Sequence, residues 1–391
     1  MEMEMKMEMI SLLRHKPIIQ MADRMGCLCS DSGNNSTASK IVNEIIIIPQ
    51  QSVQLSKNYM TMEAQICDDG SPLKYRSGHD RLFNQFFRIR YIVPTHVNDT
   101  HDILINWRNI ETLDVYKIQP NYMSRQMDIN SKMRAILIDW MVQICHKILK
   151  NDQILHHSVA IMDRFLAKRL VSRTKLQLIG CVAILLASKM EHRNKHVSIR
   201  TLYQISDKAY DFSIFMAMEI IMLNALNYSL SCPTPPQFYM VYTERLLGRF
   251  ANEYNTKIYL TGLMFLDFML DSGEMLFCKF KPSQLAAASL FLSMYSFNLY
   301  IDGLISPNDC DTDTDALTFW TPAQQDAIGV FISNNKEFQE CVGNAFSHIQ
   351  FKIQSYNFLT GNNAVVKKYK QHFADVRKDI PLFLPIFKNL N

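Results

Sequence analysis

Residues 131–149 read Ser-Lys-Met-Arg-Ala-Ile-Leu-Ile-Asp-Trp-Met-Val-Gln-Ile-Cys-His-Lys-Ile-Leu, and this stretch decides the fold. At roughly 100° per residue, Met133, Ile136, Leu137, Trp140 and Ile144 fall on one face of a helix. Ala135, Ile138, Val142, Cys145 and Leu149 fall on the opposite face, with Arg134, Asp139 and Lys147 at the flanks. A helix with two apolar faces is either buried on both sides or buries one and offers the other to a partner.

Working outward, strong amphipathic patterns run from about residue 97 nearly to the end of the 391-residue chain. Gly (12) and Pro (13) are scarce, which disfavours a turn-rich β fold and favours an all-α one. Thr234-Pro235-Pro236 sets a capping hydroxyl before a proline at the first helical position. Thr321-Pro322-Ala323-Gln324 repeats the device and adds a capping-box Gln. The segment 232–236 divides the patterned region into two similar halves. Gln177–Leu186 in the first and Gln284–Leu292 in the second both read as buried helices with Gly or Ala at their centres, on which other helices pack. Two helical bundles are therefore expected.

Residues 1–95 differ. A Met/Glu alternation, a polar run from Ser30 to Thr37 and one apolar knot at Ile45–Ile48 give no sustained periodicity, so this segment is expected to be a largely disordered tail. The expected organisation is a tail at 1–95, a first bundle at 96–231, a second at 232–375 and a short tail at 376–391.

Composition excludes several classes of function. With 48% hydrophobic residues, 20% charged residues and a net charge of +4, the chain has globular composition but no basic domain of a dedicated nucleic-acid binder. Nine scattered cysteines, most inside apolar runs, read as buried free thiols of an intracellular protein. Cys27 and Cys29 are a close pair with no second pair at zinc spacing, so no metal is expected. No apolar run reaches membrane-helix length, and the acidic start is unlike a signal peptide. Asp309, Asp311, Asp313 and Asp315 alternate, yet counting from Asp309 the sixth and twelfth loop positions hold Thr314 and Trp320 instead of Gly and Glu, so a solvated acidic loop is expected and not a calcium site. There is no His-Glu-x-x-His, no phosphate loop and no nucleophile elbow; no catalysis and no cofactor are expected.

Several motifs in order resemble the cyclin family. Met133-Arg134-Ala135-Ile136-Leu137-Ile138-Asp139-Trp140 resembles the opening helix of the cyclin box. The resemblance continues through Ile161-Met162-Asp163-Arg164-Phe165-Leu166, Leu185-Leu186-Ala187-Ser188-Lys189-Met190-Glu191 and Met218-Glu219, and resumes at Phe280-Lys281-Pro282-Ser283-Gln284-Leu285. Tyr122-Met123-Ser124-Arg125-Gln126, Gln143 and Val365-Val366-Lys367-Lys368-Tyr369 favour the B type of the mitotic A/B group. The resemblance implies two tandem five-helix bundles and a non-catalytic subunit that activates a cyclin-dependent kinase by docking on its mobile C-helix. A nuclear and cytoplasmic location goes with it.

Residue by residue, the resemblance implies that Lys189 and Glu219 grip the kinase backbone, with Met190, Glu191, Leu223, Tyr228 and Leu230 around them. It implies a substrate-docking patch at Met133, Ile136, Leu137, Trp140, Leu176 and Gln177, with Asp207 and Gln143 facing the basic residue of a docking peptide carried by substrates or inhibitors. Gln143 stands where A-type cyclins carry Glu, which weakens that selection. Arg134 and Asp163 match a buried structural ion pair. The chain departs from the family at His192-Arg193-Asn194-Lys195-His196, basic and without proline, at a long segment 299–319, and in a tail lacking Arg-x-x-Leu or Lys-Glu-Asn. Two rival readings are a paired-bundle transcription factor and a divergent scaffold that does not activate a kinase.

Overall fold

Asn130 shows how this chain starts a helix. Its backbone is extended and its side-chain oxygen accepts the Met133 N–H, so the helix opens with a satisfied donor. Asn151, Ser198 and Asn363 do the same for later helices, and Thr321 with Gln324 forms the expected reciprocal capping box. Thr234 departs from expectation. Pro235 and Pro236 carry no N–H, and the Gln237 N–H goes to the Thr234 carbonyl, so the hydroxyl makes no hydrogen bond. The Gln237 side chain instead accepts from the Thr234 N–H.

The computed structural model describes residues 97–149, 151–191, 196–247, 253–301, 320–331, 335–355 and 363–369. The expected tails at 1–95 and 376–391, the Cys27/Cys29 pair, residues 192–195 and the acidic loop 309–315 lie outside them. In order come α1 (Val97–Glu111), α2 (Ser131–Ile144, running on into a π turn at Cys145–Leu149), α3 (Asp152–Lys168), α4 (Arg173–Glu191), α5 (Ile199–Ile205) and α6 (Phe212–Ala225). Then follow α7 (Pro235–Leu247), α8 (Glu253–Met269, ending in a 3-10 turn at Leu270–Met275), α9 (Pro282–Ile301), α10 (Pro322–Ile328), α11 (Lys336–Ser355) and α12 (Ala364–Lys368). Among the described residues there is no strand, and the protein is all-α as its glycine and proline scarcity requires.

Two five-helix bundles form, α2–α6 and α7–α11. In the first, α4 packs against α2, α3 and α6, and every residue from Leu176 to Ser188 is buried. Gly180 is needed at its centre: a Cβ there would lie 2.9 Å from a Leu137 methyl, so the missing side chain makes room for Leu137 of α2. In the second, α9 packs against α7, α8 and α11. The Ser289 hydroxyl reaches the Gly262 carbonyl at 2.7 Å, and a Cβ on Gly262 would sit 2.0 Å from the Tyr239 hydroxyl. Both buried small-residue helices read from the sequence are thus the central helices of their bundles.

The terminal helices cross over. α1 packs on the second bundle, through Trp107 edge-on to Phe238 (5.5 Å) and Glu111 accepting from the Ser283 N–H (3.0 Å) and hydroxyl (2.6 Å). α12 packs on α2 of the first bundle, where the Ala364 N–H donates to Asp139 at 2.8 Å. Between the bundles, Lys368 of α12 bonds both Asp152 of α3 and Asp267 of α8, and His156 of α3 meets Asp267 at 3.0 Å.

Candidate partner-binding site

α4 ends its buried run at Ser188 and emerges as Lys189, while Glu219 lies in the middle of α6, the helix packed beside it. Lys189 Nζ reaches Glu219 Oε1 at 2.5 Å. The Lys side chain is 41% exposed and the Glu 15%, so the pair sits at the rim of the bundle with a donor left for another molecule. An ion pair this exposed contributes little to stability.

What surrounds the pair is apolar and exposed. Phe212, Met216 and Ile220 stand one turn apart along α6, and Met190 and Tyr228 flank them. Met216 is 50% exposed, Ile220 57% and Tyr228 66%. A bundle helix normally turns charge to water, whereas α6 shows a ridge of large side chains there. Phe212, Met216 and Ile220 are absent from the residues the sequence nominated. The signal was present: 212–225 reads Phe-Ser-Ile-Phe-Met-Ala-Met-Glu-Ile-Ile-Met-Leu-Asn-Ala, apolar on every side, and one bundle cannot cover every side.

Tyr228 is held out by a strained turn. Asn227 and Tyr228 have φ of 50° and 56°, a region L-residues avoid. The next two carbonyls fasten it: Arg164 Nη2 donates to Ser229 O at 2.6 Å and His157 Nε2 bonds Leu230 O at 2.8 Å. His157 Nδ1 also meets Glu191 at 3.1 Å. Among the nominated residues Met190 and Tyr228 are exposed, Leu223 and Glu191 half-buried, and Leu230 buried. The place of Leu230 in a contact surface is therefore corrected: its side chain closes the bundle, and its contribution is the carbonyl that anchors the turn.

The second nominated patch is also redistributed. Met133, Ile136, Trp140 and Gln143 form a half-buried stripe on α2. Leu137, placed on that face by periodicity, is wholly buried against Gly180, because the cleared space on α4 accepts it. Leu176 and Gln177 are buried too. Gln177 Oε1 is buried and makes no hydrogen bond. The Gln143 amide donates to Asp139 at 3.0 Å. Asp207, with φ of 53°, is exposed.

Arg134 and Asp163 make a closed pair, Nε–Oδ1 2.7 Å and Nη2–Oδ2 2.5 Å. The Tyr122 hydroxyl donates to the same carboxylate at 2.8 Å. The guanidinium goes further than a pair requires and donates to Leu270 O (3.1 Å) and Asp271 O (3.3 Å) of the second bundle.

The two five-helix bundles are each wound on a buried small-residue helix, and an exposed apolar ridge with an ion pair inside it lies at the rim of the first. Residues 102–231 match the model of the cyclin N-terminal domain. Cyclin-B2-1 of Oryza sativa subsp. japonica is 42% identical over 174 residues, covering 44% of this chain and 39% of that protein. G2/mitotic-specific cyclin-2 of Medicago sativa is 39% identical over 199 residues, 51% of this chain and 56% of that protein. Cyclin-B2-3 of Arabidopsis thaliana is 36% identical over 191 residues, 49% of this chain and 42% of that protein. The chain spans about half the length of the curated relatives it matches. Over residues 102–231 the chain is therefore similar to the cyclin N-terminal domain, and these relatives are named as B-type or G2/mitotic-specific cyclins.

Proposed function

We propose that this chain is the regulatory subunit of a cyclin-dependent protein kinase, acts in cell-cycle control at G2/M or meiosis, and carries out no catalysis itself. The observation that carries this reading is the rim ion pair Lys189–Glu219 set within an exposed apolar ridge. Such a ridge buries a kinase helix, and the polar pair inside it fixes the helix's register by bonding backbone groups that burial would otherwise leave unsatisfied. The chain binds one of two kinase conformations better than the other, and a switch needs nothing more. The reacting groups all belong to the partner.

The same reading assigns substrate recruitment to the α2 stripe. An extended peptide lying over Met133, Ile136 and Trp140 would bring a backbone N–H to the idle Gln177 Oε1, which at present is a buried acceptor without a donor. Gln143, its amide spent on Asp139, turns its oxygen to a basic side chain.

The test is co-purification of the full chain with candidate cyclin-dependent kinases, followed by histone phosphorylation. Changing Lys189 and Glu219 together to Ala removes contacts at the centre of the interface and should weaken kinase binding at least tenfold. Unchanged binding and phosphorylation would sink the proposed grip. Kinase binding without phosphorylation would mark the chain as a scaffold.

A further inference from the structure

A cleft of about 880 Å³ opens between the two bundles, lined by α3, the 114–120 segment, the 232–235 linker and the 277–282 segment. Seven Lys and Arg residues line it against four carboxylates. Three of the four are engaged: Glu111 with Ser283, Asp114 with Lys117, and Asp163 with Arg134 and Tyr122.

At the inner wall lies Arg164, 2% exposed. Its Nη2 donates to the Val115 carbonyl (3.1 Å) and the Ser229 carbonyl (2.6 Å), and the Tyr116 ring lies 4.9 Å from the guanidinium carbon. Its Nε and Nη1 meet no nitrogen or oxygen acceptor, the Cys232 thiol is the polar group within reach of the guanidinium, and no carboxylate pairs with it among the described residues. The Cys232 thiol beside it is pushed up by burial and brings no compensating charge. Lys168, one turn further along α3, is shifted down by partial burial and then by the nearby charges of Arg164 and Arg169. Across the cleft the buried Thr234 hydroxyl also has no partner, since the two prolines after it removed the N–H groups a capping residue would satisfy. A charge buried without a counter-charge is costly, and these cations oppose one another instead of being neutralised.

We propose that this cleft binds a phosphate monoester, with Arg164 and Lys168 neutralising the phosphate and the Thr234 hydroxyl donating to it. Arginine in a partly dry site favours a multidentate oxyanion. A free phosphate ion would fill a small part of the volume, so the phosphate belongs to a larger body, either a phosphorylated side chain or a small organic phosphate. The cleft lies apart from the Lys189–Glu219 pair and the α2 stripe but adjoins the Tyr228 turn, which Arg164 fastens through the Ser229 carbonyl, and the proposal does not depend on the function assigned to either surface.

The experiment titrates the full chain with inorganic phosphate, O-phosphoserine and adenosine monophosphate, each against sodium chloride at equal ionic strength, reading the thermal midpoint and phosphorus NMR line width. A saturable rise with phosphate compounds and none with chloride is expected. Lys168→Gln, a change at an accessible residue without an ion partner, should weaken the titration about tenfold, and Arg164→Gln should abolish it. Should Arg164→Gln fail to fold, Lys168→Gln decides. Tighter binding of phosphoserine points to a phosphorylated partner, and tighter binding of the nucleotide to a small-molecule ligand. A response to phosphate no greater than to chloride, or a Lys168→Gln titration matching the parent, overturns the proposal.

Discussion

Replacing Lys368 by Met should cost more stability than any change on the exposed α6 ridge. The Lys368 side chain is 3% exposed, and its ammonium bonds Asp152 of the first bundle and Asp267 of the second. Asp267 also takes His156 at 3.0 Å and the Tyr369 hydroxyl at 3.1 Å. Burial alone would raise the Asp267 carboxyl, but Lys368 and His156 outweigh it and hold it at about 2. Burial likewise pushes Lys368 down, and the two carboxylates more than reverse that. Met fills the stem and leaves Asp267 buried with the His156 and Tyr369 hydrogen bonds but without the ammonium. Stranding a buried charge in this way costs about 3–5 kcal/mol. Asp152, 28% exposed, is rescued by water and adds little.

The pH dependence carries the sharper test. In the parent, Asp267 is depressed below the unfolded value of about 3.9, so its contribution is present above that pH and lost as pH falls through about 2. In the variant the chief lowering influence is gone, the carboxyl can take a proton on acidification, and the deficit should narrow between pH 7 and about pH 4. Urea unfolding followed by far-UV circular dichroism at the two pH values reads both effects. A deficit below about 1 kcal/mol at pH 7, or one equal at both pH values, would refute a load carried by the Lys368–Asp267 charge pair. Adding Asp267→Asn should restore part of the loss, because the stranded charge goes with it.

Other outcomes follow from single contacts. Met216→Glu puts a charge on the exposed α6 ridge and should lower kinase affinity at least tenfold in a pull-down titration while leaving the thermal midpoint within a few degrees. Trp140→Ala should impair phosphorylation of substrates bearing a docking motif and spare kinase binding; loss of kinase binding instead would return α2 to a purely structural role. Gln143→Glu should tighten basic docking peptides, read by fluorescence anisotropy, as a neutral hydrogen bond becomes charge-assisted. Gly262→Ala drives a methyl into the Tyr239 hydroxyl, which bonds Ile258 O and Tyr259 O, and should destabilise the second bundle by about 1–3 kcal/mol in chemical denaturation.

The helices and their two-bundle grouping were legible because period and capping are local properties. Thr321 caps where the sequence placed a cap, and the small-residue apolar runs at 177–186 and 284–292 are the bundle centres they were read as. The candidate site was legible where a charge interrupted such a run, as at Lys189 and Glu219. Burial was misread where it depends on a residue distant in sequence. Leu137 and Trp140 share one face of α2, yet Gly180 opens a slot under Leu137 alone. Leu230 looked like surface because nothing local reveals that His157 holds its carbonyl. The crossing of α1 and α12 onto the opposite bundles has no signature in periodicity, since an amphipathic helix carries no address.

Those crossings explain how the second bundle supports a face it does not touch. Tyr228 is presented by a strained turn, and strain persists only where neighbours over-determine it. The neighbours are Arg164 and His157, both on α3. α3 is fixed in turn by Asp163 to Arg134, whose guanidinium continues to the Leu270 and Asp271 carbonyls, and by Asp152 and His156 to the Lys368–Asp267 cluster. A continuous path of buried and part-buried hydrogen bonds therefore runs from the second bundle through α3 to the turn under Tyr228. Loosening Lys368 should then raise amide exchange at 227–230 before it unfolds the first bundle, a local opening that hydrogen exchange resolves residue by residue. Exchange at 227–230 unchanged in Lys368→Met, at a urea concentration where the second bundle already opens, would show that the first bundle holds this turn alone.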